Sequence, residues 1–91
     1  MNMWLMNKYG NLRLKGFYIV NYILKEYKYP IKIMNIYEDV GKNFNMTKEA
    51  VERNIRTYKN ACGFKNIVNQ EFISLLLTEY KEYLGEDKKW D

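Results

Sequence analysis

Charged and polar side chains between Lys48 and Asn60 recur at a spacing that would place them together on one side of a helix. At 100° per residue, they share an arc opposite the apolar residues of the same segment. In the major groove of DNA, arginine bonds guanine edges, asparagine bonds adenine and glutamate accepts from cytosine. This face therefore has the chemistry to contact base edges, and its candidate base-reading residues are Glu49, Glu52, Arg53, Arg56 and Asn60.

Other side chains near this polar face have groups that bond phosphate oxygens, which position a protein on a duplex without reading its sequence. The phosphate candidates are Thr47, Lys48, Thr57, Lys59 and Lys65. The same charges also fit a solvated helix that carries Glu49–Arg53 and Glu52–Arg56 ion pairs, each worth about 0.2–0.5 kcal/mol. The two interpretations are compatible, because such pairs can open when a duplex arrives.

The helix that carries this face spans about Lys48–Ala61, and a tight turn precedes it. Its apolar seam for burial consists of Val51, Ile55, Tyr58 and Cys62. Before the turn, apolar residues at helical spacing from Pro30 to Phe44 predict another helix. Gly41 would lie on the inner side of that helix, where the absence of a side chain allows close approach, and Asn45 tolerates a left-handed turn. Thr47 would cap the second helix. This order is typical of a helix-turn-helix.

The flanking segments also predict helices. The spacing of Phe17, Val20, Leu24 and Tyr27 indicates a helix over Lys15–Tyr27. A last helix is predicted from about Asn69 or Gln70 to Leu84, where Gly85 stops it. Its expected buried residues are Phe72, Leu75, Leu76, Tyr80 and Tyr83. No strand–turn–strand pattern lies in the connector after Gly63, so we expect no β-wing. Residues 1–14 form a leading arm or short helix, and residues 86–91 a charged tail.

Length and composition bound the fold and the function. The chain has 91 residues, of which 47% are hydrophobic, and this indicates one globular domain over residues 1–91. Its single cysteine, Cys62, excludes a disulfide within the chain. We expect an all-α fold, a small bundle of about four to five helices. No apolar run reaches the roughly 20 residues of a membrane span, and no secretory signal is recognisable. We therefore expect a cytoplasmic protein with no membrane contact.

The missing residue types argue against catalysis. The chain has no histidine, so the common zinc and iron ligand sets and the histidine-assisted nucleophiles cannot be assembled. Its five glycines stand far apart, which leaves no glycine-rich phosphate loop. We expect no enzyme activity, no metal, no cofactor and no small-molecule ligand.

The chain has a net charge of +4, and its positive charge is concentrated in the first three quarters, because residues 71–91 hold six acidic and three basic residues.

Three segments resemble a known family. LKGFYIVNYIL (Leu14–Leu24), IYEDVGKNFNMTKEAVERNIR (Ile36–Arg56) and NQEFISLLL (Asn69–Leu77) are similar, in this order, to the C-terminal DNA-binding effector domain of the master response regulator of sporulation in spore-forming Firmicutes. The resemblance implies an all-helical fold with a recognition helix in the major groove, often bound as tandem copies, and Glu52 and Arg53 as base-reading residues. The family has a basic residue where this chain has Ala50, so we expect a different preferred sequence.

The resemblance covers the effector region only, and we expect no phosphate-accepting receiver domain and no phosphorylation control of that kind. The leading expectation is sequence-specific binding of double-stranded DNA, by a homodimer or by tandem copies, at the nucleoid. The protein would be a small transcriptional regulator or an accessory factor that marks a plasmid or phage site. The alternative is a protein–protein interaction module of the same fold, such as an antagonist of a related regulator. The acidic last quarter, Trp90 and the Met-rich start favour that alternative.

Overall fold

A computed structural model describes residues 2–85 of the chain, and every regular element within that range is a helix. The predicted all-α fold is therefore confirmed, and the described residues form no β-strand after Gly63. The charged tail and Trp90 lie outside the described residues. The five helices are α1 (Met3–Tyr9), α2 (Lys15–Glu26), α3 (Ile33–Phe44), α4 (Lys48–Ala61) and α5 (Asn69–Leu84).

The core lies beneath α4, which packs mainly against α2 and α3, with α5 closing the remaining side. α2 contributes more buried apolar side chains than any other described helix, from Phe17 to Leu24. Burying each such apolar side chain stabilises the fold by roughly 1.5–3 kcal/mol. Leu5 of α1 is fully buried as well, so the leading segment is a short helix that covers the core.

Gly16 sets the distance between α2 and α4. A Cβ atom at this position would lie 2.3 Å from the carbonyl oxygen of Asn54 and 2.5 Å from the Cβ of Tyr58. Both atoms belong to the rigid part of α4, so neither could move aside for a side chain. The N-terminal end of α2 therefore lies directly on the middle of α4, a contact that the sequence did not predict.

The turn between α3 and α4 has the conformation expected from its residues. Asn45 is left-handed, with φ 56° and ψ 51°. Gly41 is buried, and a Cβ there would lie 2.7 Å from the carbonyl oxygen of Met46, which explains why a glycine is needed. The Thr47 hydroxyl accepts a hydrogen bond of 3.1 Å from the Ala50 N–H. This bond satisfies a backbone N–H that the start of α4 would otherwise leave unpaired.

A second network joins α2 to α3. The hydroxyl groups of Tyr22 and Tyr27 both donate to one carboxylate oxygen of Asp39, and the Asn43 amide donates to the other at 3.0 Å. The hydrogen bond from Tyr27 is the main cause that holds the pKa of Asp39 below its usual range, and Tyr22 and Asn43 act in the same direction against partial burial. The network keeps the two helices in register at the end opposite Gly16.

The buried face of α5 differs from the prediction. Phe72 and Leu76 are fully buried and Tyr80 is half-buried. Leu75 and Tyr83, however, are 36% and 62% exposed, and the core takes Ile73 and Leu77 in their place. The expectation that Leu75 and Tyr83 are buried is therefore wrong. Nearly every residue from Phe72 to Leu77 is apolar, so helical spacing alone does not decide which arc faces the core.

Candidate nucleic-acid interface

The polar and apolar residues of α4 are segregated as expected. Val51, Ile55 and Tyr58 have no exposed surface, and burial raises the pKa of the Tyr58 hydroxyl well above its usual range. On the opposite side the side chains are open to solvent. Those exposed residues are Lys48, Glu49, Arg53, Arg56 and Thr57. The buried side fixes the rotation of the helix, so the outward direction of the charged face is set by the core.

The two predicted ion pairs have different outcomes. Arg56 donates from one nitrogen to both carboxylate oxygens of Glu52, at 2.7 and 2.9 Å. No ion pair joins Glu49 to Arg53 among the pairs formed by residues 2–85. The pair between Glu52 and Arg56 is solvent-exposed and worth roughly 0.3–0.5 kcal/mol, which a phosphate or a base edge could replace. Arg53 carries an unpaired charge in the middle of the exposed face.

Lys59, a predicted phosphate contact, does not lie on the exposed flank where we expected it. Its side chain is only 4% exposed. The ammonium donates to the Asn60 side-chain oxygen at 2.9 Å and to the Phe64 carbonyl at 3.0 Å. Both acceptors lie at the C-terminal end of α4, where unpaired carbonyls and a positive charge stabilise each other. We assign Lys59 a structural role.

The chain path after α4 explains why Lys59 is buried. Gly63 adopts a left-handed conformation with φ 95°, and its N–H bonds the Asn60 carbonyl while the Phe64 N–H bonds the Lys59 carbonyl. This pattern is a Schellman motif, which turns the chain back over the last helical turn. The turn brings the Phe64 carbonyl to the Lys59 ammonium. Asn60, a base-reading candidate, is half-buried as a result and shares its side-chain oxygen with Lys59.

The remaining phosphate candidates are accessible. Lys48 and Thr57 lie on the exposed part of α4, and Lys65 is exposed in the connector before α5. Thr47 uses a lone pair of its hydroxyl to cap α4, which leaves the hydroxyl proton free to donate. Thr47 and Lys48 lie at the start of α4, and Thr57 lies on its exposed face. Lys65 lies beyond the C-terminal end of the helix.

Asn69 organises the side of α4 that faces α5, a role that sequence reasoning missed. Its buried side-chain amide donates to the Tyr37 hydroxyl at 2.9 Å and to the Glu52 carbonyl at 3.2 Å. Burial is the main cause that raises the pKa of Tyr37. One residue thus ties α5 to both α3 and α4. A buried asparagine at the start of a helix has no distinguishing pattern in the sequence, because the same residue type is common at exposed helix starts.

Comparison with protein-family models, curated proteins and solved structures gives no significant match to this chain. The similarity to the sporulation effector domain therefore rests on the three quoted segments and stays a prediction. None of the helices within residues 2–85 has the length and apolar character to cross a membrane. Within the same range, histidine, cysteine, aspartate and glutamate form no group of three or more that could hold a metal ion.

Proposed function

We propose that the protein binds double-stranded DNA sequence-specifically, with α3 and α4 acting as a helix-turn-helix and the exposed face of α4 in the major groove. The observation that carries the proposal is the position of Arg53. It is exposed, it has no ion pair within the described residues, and it lies opposite a fully buried seam. An arginine held this way is the side chain most often used to read guanine.

The dimensions support the same function. An α-helix with its side chains is about 10–12 Å wide, and the major groove of B-DNA is about 12 Å wide. The tight turn at Asn45 and the close approach at Gly41 join α3 to α4, and the charged residues Lys48, Glu49, Arg53 and Arg56 of α4 are exposed. Glu49, Arg56 and Asn60 would supply further base contacts, and Arg56 would exchange Glu52 for a base or phosphate.

The biological role that follows is that of a small transcriptional regulator, or of an accessory protein that marks a plasmid or phage site. Binding by a homodimer or by tandem copies would double the contacted sequence. Such a protein would act in the cytoplasm, at the nucleoid. These statements rest on the DNA-binding proposal and on the resemblance to the sporulation effector domain.

The test is selection of binding sequences from a library of random duplexes, followed by sequencing of the retained fraction. We expect one short motif to be enriched, and a titration with that duplex to give tighter binding than a shuffled duplex at every salt concentration. Affinity for both duplexes should fall steeply with salt. Enrichment of no motif, with equal binding of selected and shuffled duplexes, would refute sequence-specific recognition.

A second candidate function is protein–protein interaction. Trp4 of α1 lies against Tyr80 and Tyr83 of α5, with ring centroids 5.5 and 6.2 Å apart. Met3 and Tyr83 are both more than 60% exposed. An exposed apolar and aromatic patch of this kind is typical of a partner surface. If this function is the main one, the protein should form no specific duplex complex at any ionic strength.

A further inference from the structure

The N-terminal end of α2 packs on α4 next to the exposed face of that helix. Because the Gly16 backbone contacts Asn54 and Tyr58, the residues just before Gly16 lie beside the middle of α4. On a helix, Arg53 and Thr57 are immediate neighbours of Asn54 and Tyr58 on the outward side. The loop between α1 and α2 therefore borders the face that we propose to enter the major groove.

Hydrogen bonds hold this loop in one conformation. The Tyr18 hydroxyl donates to the Leu12 carbonyl at 2.9 Å. The Asn11 side-chain oxygen accepts from the Arg13 N–H at 3.2 Å, and the Asn11 carbonyl accepts from the Leu14 N–H at 3.2 Å. Leu14 is half-buried and directly precedes α2. Arg13 and Lys15 thus project from a fixed backbone on either side of Leu14.

Both of these cations are available. Arg13 and Lys15 are exposed, and neither forms an ion pair within the described part of the chain. The sequence contains no aspartate or glutamate from Asn2 to Lys25, so no neighbouring carboxylate along the chain competes for them. Lys59, in contrast, uses its ammonium inside the fold.

We infer that Arg13 and Lys15 bind backbone phosphates of the same duplex whose major groove receives α4. The inference rests on the proposed function and extends the interface from α4 to the loop between α1 and α2. The duplex would be held by Arg13 and Lys15 on the α2 side of α4 and by Lys48, near the start of α4. Contacts to phosphate carry no sequence information, so these two residues should set affinity and salt dependence and leave base preference unchanged.

The test is a double variant, Arg13→Gln with Lys15→Gln, titrated over a salt series with the selected duplex and with a shuffled duplex. The matched control is Lys25→Gln with Lys28→Gln, which removes the same charge from exposed positions at the other end of α2. Each lost phosphate contact lowers the slope of log affinity against log salt by about 0.9. For the first variant, we expect the slope of log affinity against log salt to be about 2 smaller in magnitude than for the wild type. Its affinity at about 0.1 M salt should be roughly 10–100-fold lower, equally for both duplexes.

The control should keep a slope close to that of the wild type. If the first variant keeps the wild-type slope, or if the control loses as much as the first variant, the phosphate assignment is wrong while the proposed function stands. If the wild type itself forms no duplex complex, the proposed function fails and this inference fails with it. Thermal melting of both variants should match the wild type, because all four side chains are exposed.

Discussion

The two sides of α4 use their charges in opposite ways. On the side that faces α5, Glu52 and Arg56 pair with each other, and the Lys59 ammonium is buried against Asn60 and Phe64. On the other side, Arg13 and Lys15 at the start of α2 and Arg53 on the outer face of α4 are exposed and have no ion pair among residues 2–85. The charges on the first side already have partners within the fold, whereas those on the second side have none among the described residues.

The number of cations on a helix therefore does not measure how many of them a partner can reach. A cation near a turn finds carbonyl acceptors in its own chain, and its burial then satisfies groups that would otherwise be unpaired. Arg13 and Lys15 project from an exposed segment without carboxylates. The α2 side of α4, and not the whole helix, is therefore where most of the phosphate binding should occur.

The largest effect is expected from separating α2 from α4. In Gly16→Val, the new Cβ would overlap the Asn54 carbonyl and the Tyr58 side chain, and overpacking of this kind costs about 1–3 kcal/mol. Chemical denaturation should show that loss, and duplex affinity should fall because Arg13 and Lys15 are displaced. Asn7→Val, at an exposed position of α1, is the control and should change the free energy of unfolding by about 0.5 kcal/mol or less. Equal stability of the two variants would contradict the close approach.

Lys59 and Lys65 provide a matched pair of lysines, one buried and one exposed. Lys59→Met removes the donor to the Phe64 carbonyl and should lower the free energy of unfolding by about 1.5–3 kcal/mol, with an unchanged salt slope of duplex binding. Lys65→Met should leave stability unchanged and lower that slope by about 0.9. Denaturation curves and salt titrations on both variants check this. The reverse pattern would mean that the Lys59 ammonium faces the partner.

Arg53 and Arg13 separate base reading from phosphate binding. Arg53→Ala should cost about 1–3 kcal/mol in binding to the selected duplex and relax the preference at one base pair. Arg13→Ala should weaken selected and shuffled duplexes to the same extent. Competition titrations with single-base variants of the selected duplex measure both effects. If Arg53→Ala keeps both affinity and base preference, α4 is not the recognition helix.

The smallest effect concerns the network that fixes α2 against α3. Because hydrogen bonds from Tyr27 and Tyr22 lower the pKa of folded Asp39, the folded state is stabilised above the unfolded carboxyl pKa of about 3.9. That stabilisation is lost as the pH falls through the lower folded pKa. Asp39→Asn should therefore melt at a lower temperature than wild type at neutral pH and approach it in acid. A difference that stays constant from neutral to acid pH would exclude the carboxylate as its source.

Apart from Lys59, the sequence predicted the buried and exposed sides of α4 well, because its large apolar residues lie on one arc. One arc holds Val51, Ile55 and Tyr58, so only one rotation buries them and the exposed residues follow. The turn was equally predictable, because Gly41, Asn45 and Thr47 each have a conformational reason to occupy their position. The helix-turn-helix assignment and the base-reading roles remain predictions.

Other features were not predictable, for two physical reasons. In α5 the continuous apolar run allows several rotations, and the rotation found buries Ile73 and Leu77 and leaves Tyr83 exposed. At Lys59 and Gly16 the deciding contacts come from segments outside the helix concerned, the turn at Gly63 in one case and α2 in the other. A helical wheel drawn from the sequence of one helix shows neither of these contacts. Non-local contacts therefore determined which lysines face solvent and which helix end borders the candidate interface.

The most direct test is an NMR titration of amide chemical shifts with the selected duplex. We expect the largest shifts on the exposed face of α4, at Glu49, Arg53 and Arg56, and in the loop from Leu12 to Lys15. The chemical shifts of amides around Trp4 and Tyr83 should not change. Shifts confined to the surface around Trp4 and Tyr83, with α4 unchanged, would contradict recognition of DNA through α4.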